Sequence, residues 1–211
     1  MARRGDSPAG ALEPEALGRS ALRGLAERRG GVDHPGLYPN PDNPWTDQLA
    51  RLLRDAICER LDARADPARR HAVAAHWRAA ALLEAGPVEA VRAPVYDIAW
   101  RVHSADGAQM LAQPLIAECG WRGGWAVLAP ACDRLAQARA DIKLLCAMAD
   151  PDSPVGEMSL AQACAYRIAA FAPAGERVLL AFYGGAGGWR DGAGFSVFTY
   201  LTGDTALRAA P

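Results

Sequence analysis

The sequence predicts an α/β fold with three layers, a central mixed β-sheet flanked by helices, and three observations carry that expectation. Apolar residues first recur with the 3.6-residue period of a helix, and from Ala93 onward the period changes to two. After that change, short apolar runs alternate with segments of helical length, which places helices on the faces of a sheet. Clusters of Gly, Pro, Asp and Asn separate these segments and mark the turns.

Residues 1–31 are rich in Arg, Ala, Gly and Pro and read as a flexible arm, with one marginal helix from Glu13 to Arg28. The proline-rich stretch 32–44 reads as a loop. Thr46 is placed to cap a helix whose apolar positions are Leu49, Leu52, Leu53, Ala56, Ile57 and Leu61, ending near Arg64 before Asp66-Pro67. A second helix is expected from Pro67 to Glu84, stopped by Gly86-Pro87. A strand follows from Ala93 to Val102, then a hairpin turn at Ser104-Ala105-Asp106-Gly107 and a strand from Met110 to Gly120. After a loop at Arg122-Gly123-Gly124, a helix is expected near Pro130 to Ala138 and a buried strand from Ile142 to Met148. Residues 149–158 read as a loop, and Ser159 opens a helix through Phe171. Strands Arg177 to Tyr183 and Phe195 to Leu201 close the chain. The expected organisation is an arm over 1–31, a single α/β domain over 32–203 and a tail over 204–211.

The composition narrows the class of function. With 211 residues the chain has room for one core of ordinary size. A formal net charge of -1 argues against a broad electrostatic grip on nucleic acid and leaves a local basic groove open. The five cysteines contain no CxxC pair, so they read as core thiols of a reducing compartment rather than a zinc ribbon or a disulfide framework. The opening MARRGDSPAG lacks the apolar stretch of a signal peptide, and no apolar run is long enough to span a bilayer. The expectation is a cytoplasmic chain with no membrane partner.

Three charged residues stand in apolar, strand-like surroundings: Asp97 in VYDIAW, Glu118 in PLIAECGW and Lys143 in ADIKLLCAM. A charge in such a setting is costly unless it is paired or holds a metal. Lys143 is also the only lysine among 23 basic residues. Two carboxylates can hold a hard cation through oxygen, and a lysine can stabilise the negative charge that develops when a cation-bound water attacks a phosphodiester. The competing expectation is a buried ion pair between Lys143 and one of the acids, with no catalysis.

An Asp on one strand, a Glu on the next strand after a hairpin, and then a helix resembles the PD-(D/E)XK superfamily of restriction-endonuclease-like folds. The resemblance covers roughly residues 45–148, and DIAW, LIAECGW and ARADIKLLCAM are similar to segments of a bacterial branch of that superfamily. It implies a restriction-endonuclease-like core and hydrolysis of phosphodiesters dependent on Mg²⁺ or Mn²⁺, with nucleic acid as the candidate partner. On that resemblance Asp97 and Glu118 are the metal ligands, Lys143 completes the catalytic set, and Asp47 is a candidate accessory acid on the first long helix. The sequence departs from the pattern at Gly120, where the usual E-x-K has lysine, so Lys143 has to serve as a lysine supplied by the next strand. No proline directly precedes Asp97. The alternative expectation is a catalytically degenerate nuclease-like fold acting as a binding or regulatory module, favoured by Gly120 and by the near-neutral charge.

Other motifs carry less. GGAGGW at 184–189 lacks the lysine of a phosphate-binding loop and reads as a hairpin connection. The four histidines, His34, His71, His76 and His103, have no zinc spacing. Strand alternation turns Cys119 to the face opposite Glu118, which makes it a core thiol. Trp100, Trp121, Trp125 and Trp189 read first as core-sealing aromatics and second as base-stacking ones. Arg101, Arg122, Arg134 and Arg139 flank the acids and are candidate phosphate contacts.

Overall fold

The run Ile142–Met148 is buried at every position, which a strand achieves only with strands on both sides and helices over both faces. The computed structural model describes residues 13–29, 43–62, 69–75, 89–92, 96–122, 124–149, 156–184, 194–204 and 206–209. It shows the following elements in order: α1 (Pro14–Arg29), α2 (Pro44–Asp62), β1 (Arg69–Ala75), β2 (Glu89–Arg92), β3 (Ile98–Ser104), β4 (Met110–Gly120), α3 (Trp125–Gln137), β5 (Ile142–Met148), α4 (Glu157–Ala169), β6 (Arg177–Tyr183), β7 (Phe195–Leu201) and β8 (Arg208–Ala209).

The strands form one open mixed sheet in the order β2-β1-β3-β4-β5-β6-β7-β8. β4, β5 and β6 are parallel neighbours, joined through α3 and then α4. β3 and β7 run antiparallel to this central group, one on each side of it. The two faces carry separate apolar cores. Leu17, Leu22, Leu25, Trp45, Leu49, Leu53 and Ile57 of α1 and α2 meet Leu115, Ala117, Cys119, Leu144 and Cys146 on one face. Leu128, Cys132 and Leu135 of α3 and Cys164 and Ile168 of α4 meet Ile116, Leu145, Ala147 and Leu180 on the other. The three-layer α/β expectation holds at this level.

Several elements follow directly from local chemistry. Asn43 caps α2, its Oδ1 accepting the Trp45 N–H at 2.9 Å, and Pro44 occupies the first helical position, where no amide hydrogen is needed. Thr46 therefore lies inside the helix, and its hydroxyl instead accepts the indole N–H of Trp121 at 2.8 Å. The hairpin between β3 and β4 turns at Ser104–Gly107, where Gly107 adopts a φ of 75°. The register shift between Trp100 and Val102 falls where Pro114 enters β4, and a proline is tolerated at such an irregularity; a second shift follows between Val102 and His103.

Four expectations are corrected. Residues 69–75, expected within a helix from Pro67 to Glu84, form β1, an interior strand paired with both β2 and β3. Its Ala72, Val73 and Ala74 are buried on both faces, so the alternation that marks a strand is missing from the sequence, while alanine favours helix. The helix expected from Glu13 to Arg28 is present as α1, but it is not part of an arm: it buries Leu17, Ala21, Leu22 and Leu25 in the core. The tail from Gly203 is also tied down, since Arg208 and Ala209 pair with Thr199 and Phe198 of β7. Finally, α3 begins at Trp125, five residues before the expected Pro130, which lies inside the helix. The expected loops over 32–42 and 150–155, the start of the first strand at 93–95, residues 67–68 and 76–84 of the expected second helix, and residues 185–189 of the GGAGGW connection lie outside the described residues.

Candidate functional site

The alternation of β4 decides which chemistry can meet. Ile116, Glu118 and Gly120 face α3 and α4, whereas Leu115, Ala117 and Cys119 face α1 and α2. Cys119 thus lies in the core opposite Glu118, as the alternation requires. Burial pushes its thiol well above the ordinary range, helped by contact with the Cys146 thiol. All five cysteines are free thiols.

Asp97 and Glu118 do come together. The antiparallel register pairs Ile98 with Ala117, and one step further it sets Asp97 beside Glu118. Asp97 Oδ2 accepts the backbone N–H of Cys119 at 2.7 Å. The Glu118 side chain is 1% exposed and is gripped from α3 by Arg134. The guanidinium donates to it twice, from Nε at 3.0 Å and from Nη2 at 2.5 Å. Burial is the strongest influence on the Glu118 carboxyl and pushes it up to about 7; Arg134 opposes this and the neighbouring Asp97 charge adds to it. The bond to Glu118 in turn raises the Arg134 guanidinium above its usual value.

Lys143 does not join them. It shares a face with Glu118, but it pairs in register with Ile116, while Glu118 pairs with Leu145. Lys143 Nζ forms an ion pair with Glu176, just before β6, and donates to the carbonyl of Ala136 at 3.3 Å. The lysine is completely buried there, so its ammonium is committed to Glu176 near the start of β5 and β6. Asp47 belongs to the first turn of α2, on the face of the sheet away from Glu118. The expected set of Asp97, Glu118 and Lys143 therefore resolves into an acidic pair closed by Arg134 and a separate Lys143–Glu176 pair.

Gly120 has a packing reason to be glycine. A Cβ built on it would stand 2.6 Å from Leu128 Cδ2 of α3, so the position where the E-x-K spacing puts a lysine is filled by the helix core. The acidic pair was legible from its apolar strand context. Glu176 and the closing role of Arg134 were not, because a contact from the covering helix back onto β4, or from β5 to the residue before β6, leaves no local sequence pattern. The one available signal for Arg134 was its position on the helix that must cover the Glu118 face.

The surrounding acids also have partners. Asp133, next to Arg134, accepts from Arg167 Nε at 2.8 Å and Nη2 at 2.7 Å. Arg167 lies 5.8 Å from the ring centroid of Trp125, whose side chain is exposed. Trp100 and Trp121 are buried and seal the core; Trp100 Nε1 donates to His71 Nδ1 at 3.1 Å. In this arrangement both Glu118 oxygens accept from the Arg134 guanidinium and Asp97 accepts the Cys119 amide. Among the described residues there is no group of three or more His, Cys, Asp or Glu placed to hold a metal. No described helix is long and apolar enough to cross a membrane. Comparison with family models, with curated proteins and with solved structures returned no match.

Proposed function

We propose that the chain is a restriction-endonuclease-like scaffold that has kept the acidic pair Asp97 and Glu118 and acts as a binding or regulatory module rather than as a hydrolase. The observation that carries this reading is the double hydrogen bond from Arg134 to Glu118, which fills the oxygens a metal would need. The commitment of Lys143 to Glu176 supports it, because no lysine is then left to stabilise a developing phosphorane charge. The order of β3, β4, α3 and β5 supports the nuclease-like part of the reading.

A second reading, Mg²⁺- or Mn²⁺-dependent phosphodiester hydrolysis of nucleic acid, draws on the proximity of Asp97 and Glu118 and on the Arg134 side chain being 44% exposed, hence free to swing away. Incubation of the protein with single- and double-stranded DNA and RNA in Mg²⁺ or Mn²⁺ separates the two. The binding reading expects no cleavage above that of a mock preparation. Cleavage lost in both Asp97→Ala and Glu118→Gln would establish the hydrolase instead.

A further inference from the structure

The clamp on Glu118 leaves part of the arginine unused. Arg134 spends Nε and Nη2 on the carboxylate, and Nη1 has no acceptor among the described residues. The carboxylate that holds it is almost fully buried, while the arginine itself is close to half exposed. A guanidinium fixed along one edge by a buried acid is set in one orientation before any ligand arrives. Its free edge is then a donor pair matched to an oxyanion, at little entropic cost on binding. The nearby acids that could occupy that edge are engaged elsewhere: Asp97 accepts from Cys119 and Asp133 from Arg167.

Resting on the binding reading above, we propose that Arg134, oriented by Glu118, is a metal-independent receptor for an oxyanion with the chemistry of a phosphate group. The acid that would hold a cation in a nuclease here holds an arginine, and the sign of the ligand is reversed. Arg101 lies on the same face of the sheet, in β3, and is the nearest further cation on that strand to the acidic pair. The phosphate could be a free anion or part of a phosphodiester backbone, and both present the same oxygen edge to the guanidinium.

Isothermal titration tests this with two probes, inorganic phosphate and a short deoxythymidine oligonucleotide, in chelator and at matched ionic strength. The proposal expects at least one probe to bind wild type, and Arg134→Gln to weaken that binding by at least roughly tenfold, as for loss of charge-assisted hydrogen bonds. Arg134→Lys keeps the charge but not the fork and should fall between the two, while Arg23→Gln, which removes an exposed arginine of α1 on the opposite face of the sheet, should bind as wild type. Circular dichroism and thermal melting confirm that each variant is folded, and the Lys variant serves if Gln unfolds. Phosphate binding alone identifies a free anion as the source; oligonucleotide binding alone identifies the backbone. Failure of both probes to bind, or equal weakening by Arg23→Gln, overturns the proposal. Cleavage in the nuclease assay would instead sink the binding reading, so the two failures are told apart.

Discussion

At residue scale the informative groups are those that a strand places where water cannot reach. Glu118 is held against its preference for solvent by Arg134, and its carboxyl sits near 7 because burial outweighs that pairing. The sign of the stability effect follows from linkage. A carboxyl raised in the folded state binds its proton more tightly there than in the unfolded chain, so this group adds stability as pH falls from about 7 toward its ordinary 4.5 and loses it as pH rises. Glu118→Gln removes the titration, and its melting temperature relative to wild type should climb between pH 5 and pH 8 on the order of that window. Parallel melting curves for the two proteins across this range would contradict the assignment. Lys143 offers the companion test. Glu176→Ala leaves a fully buried ammonium without its partner and should cost about 3 kcal/mol in denaturant unfolding, whereas Lys143→Met, which removes the charge and keeps the bulk, should cost clearly less. Equal losses would mean that the pair does not govern this site.

At the scale of elements, the strands with strong apolar runs were readable and those without were not. β5, β6 and β7 match the expected bounds because IKLLCAM is a short apolar run and RVLLAFY and FSVFTYL carry β-branched and aromatic residues, each between clear punctuation. β1 reads as helix because RRHAVAA is alanine-rich, and only its two hydrogen-bonded neighbours make it a strand. α1 looked marginal because Leu17, Ala21, Leu22 and Leu25 are a thin stripe, yet α2 and the sheet together cover it. Leu25→Ala, deep in that stripe, should destabilise the protein by about 2–5 kcal/mol; a change under about 0.5 kcal/mol would return the segment to the status of an arm. The junction of β4 and α3 sets the limit on the site. Gly120→Lys must displace Leu128 and should destabilise by about 1–3 kcal/mol, so restoring the E-x-K spacing is not a route to activity while α3 packs as it does. A stable Gly120→Lys protein that gains Mg²⁺-dependent cleavage would overturn that conclusion.

For the molecule as a whole, the open sheet with two helices on each face explains why the acids converge while the lysine does not. The antiparallel β3–β4 hairpin brings Asp97 to Glu118 through local register, which the sequence exposes as a turn of fixed length. Lys143 enters through a parallel crossover, where the register depends on how α3 packs, and that packing is invisible to strand periodicity. The result is a site with two carboxylates and an arginine at one place and a lysine–glutamate pair at another. Titration of Mn²⁺ into wild type and Asp97→Ala at neutral pH tests most directly whether that division governs the chemistry. A closed Glu118–Arg134 clamp predicts no heat from wild type beyond that of Asp97→Ala. Saturable Mn²⁺ binding to wild type that Asp97→Ala abolishes would show that the clamp opens to a metal and would contradict the binding reading.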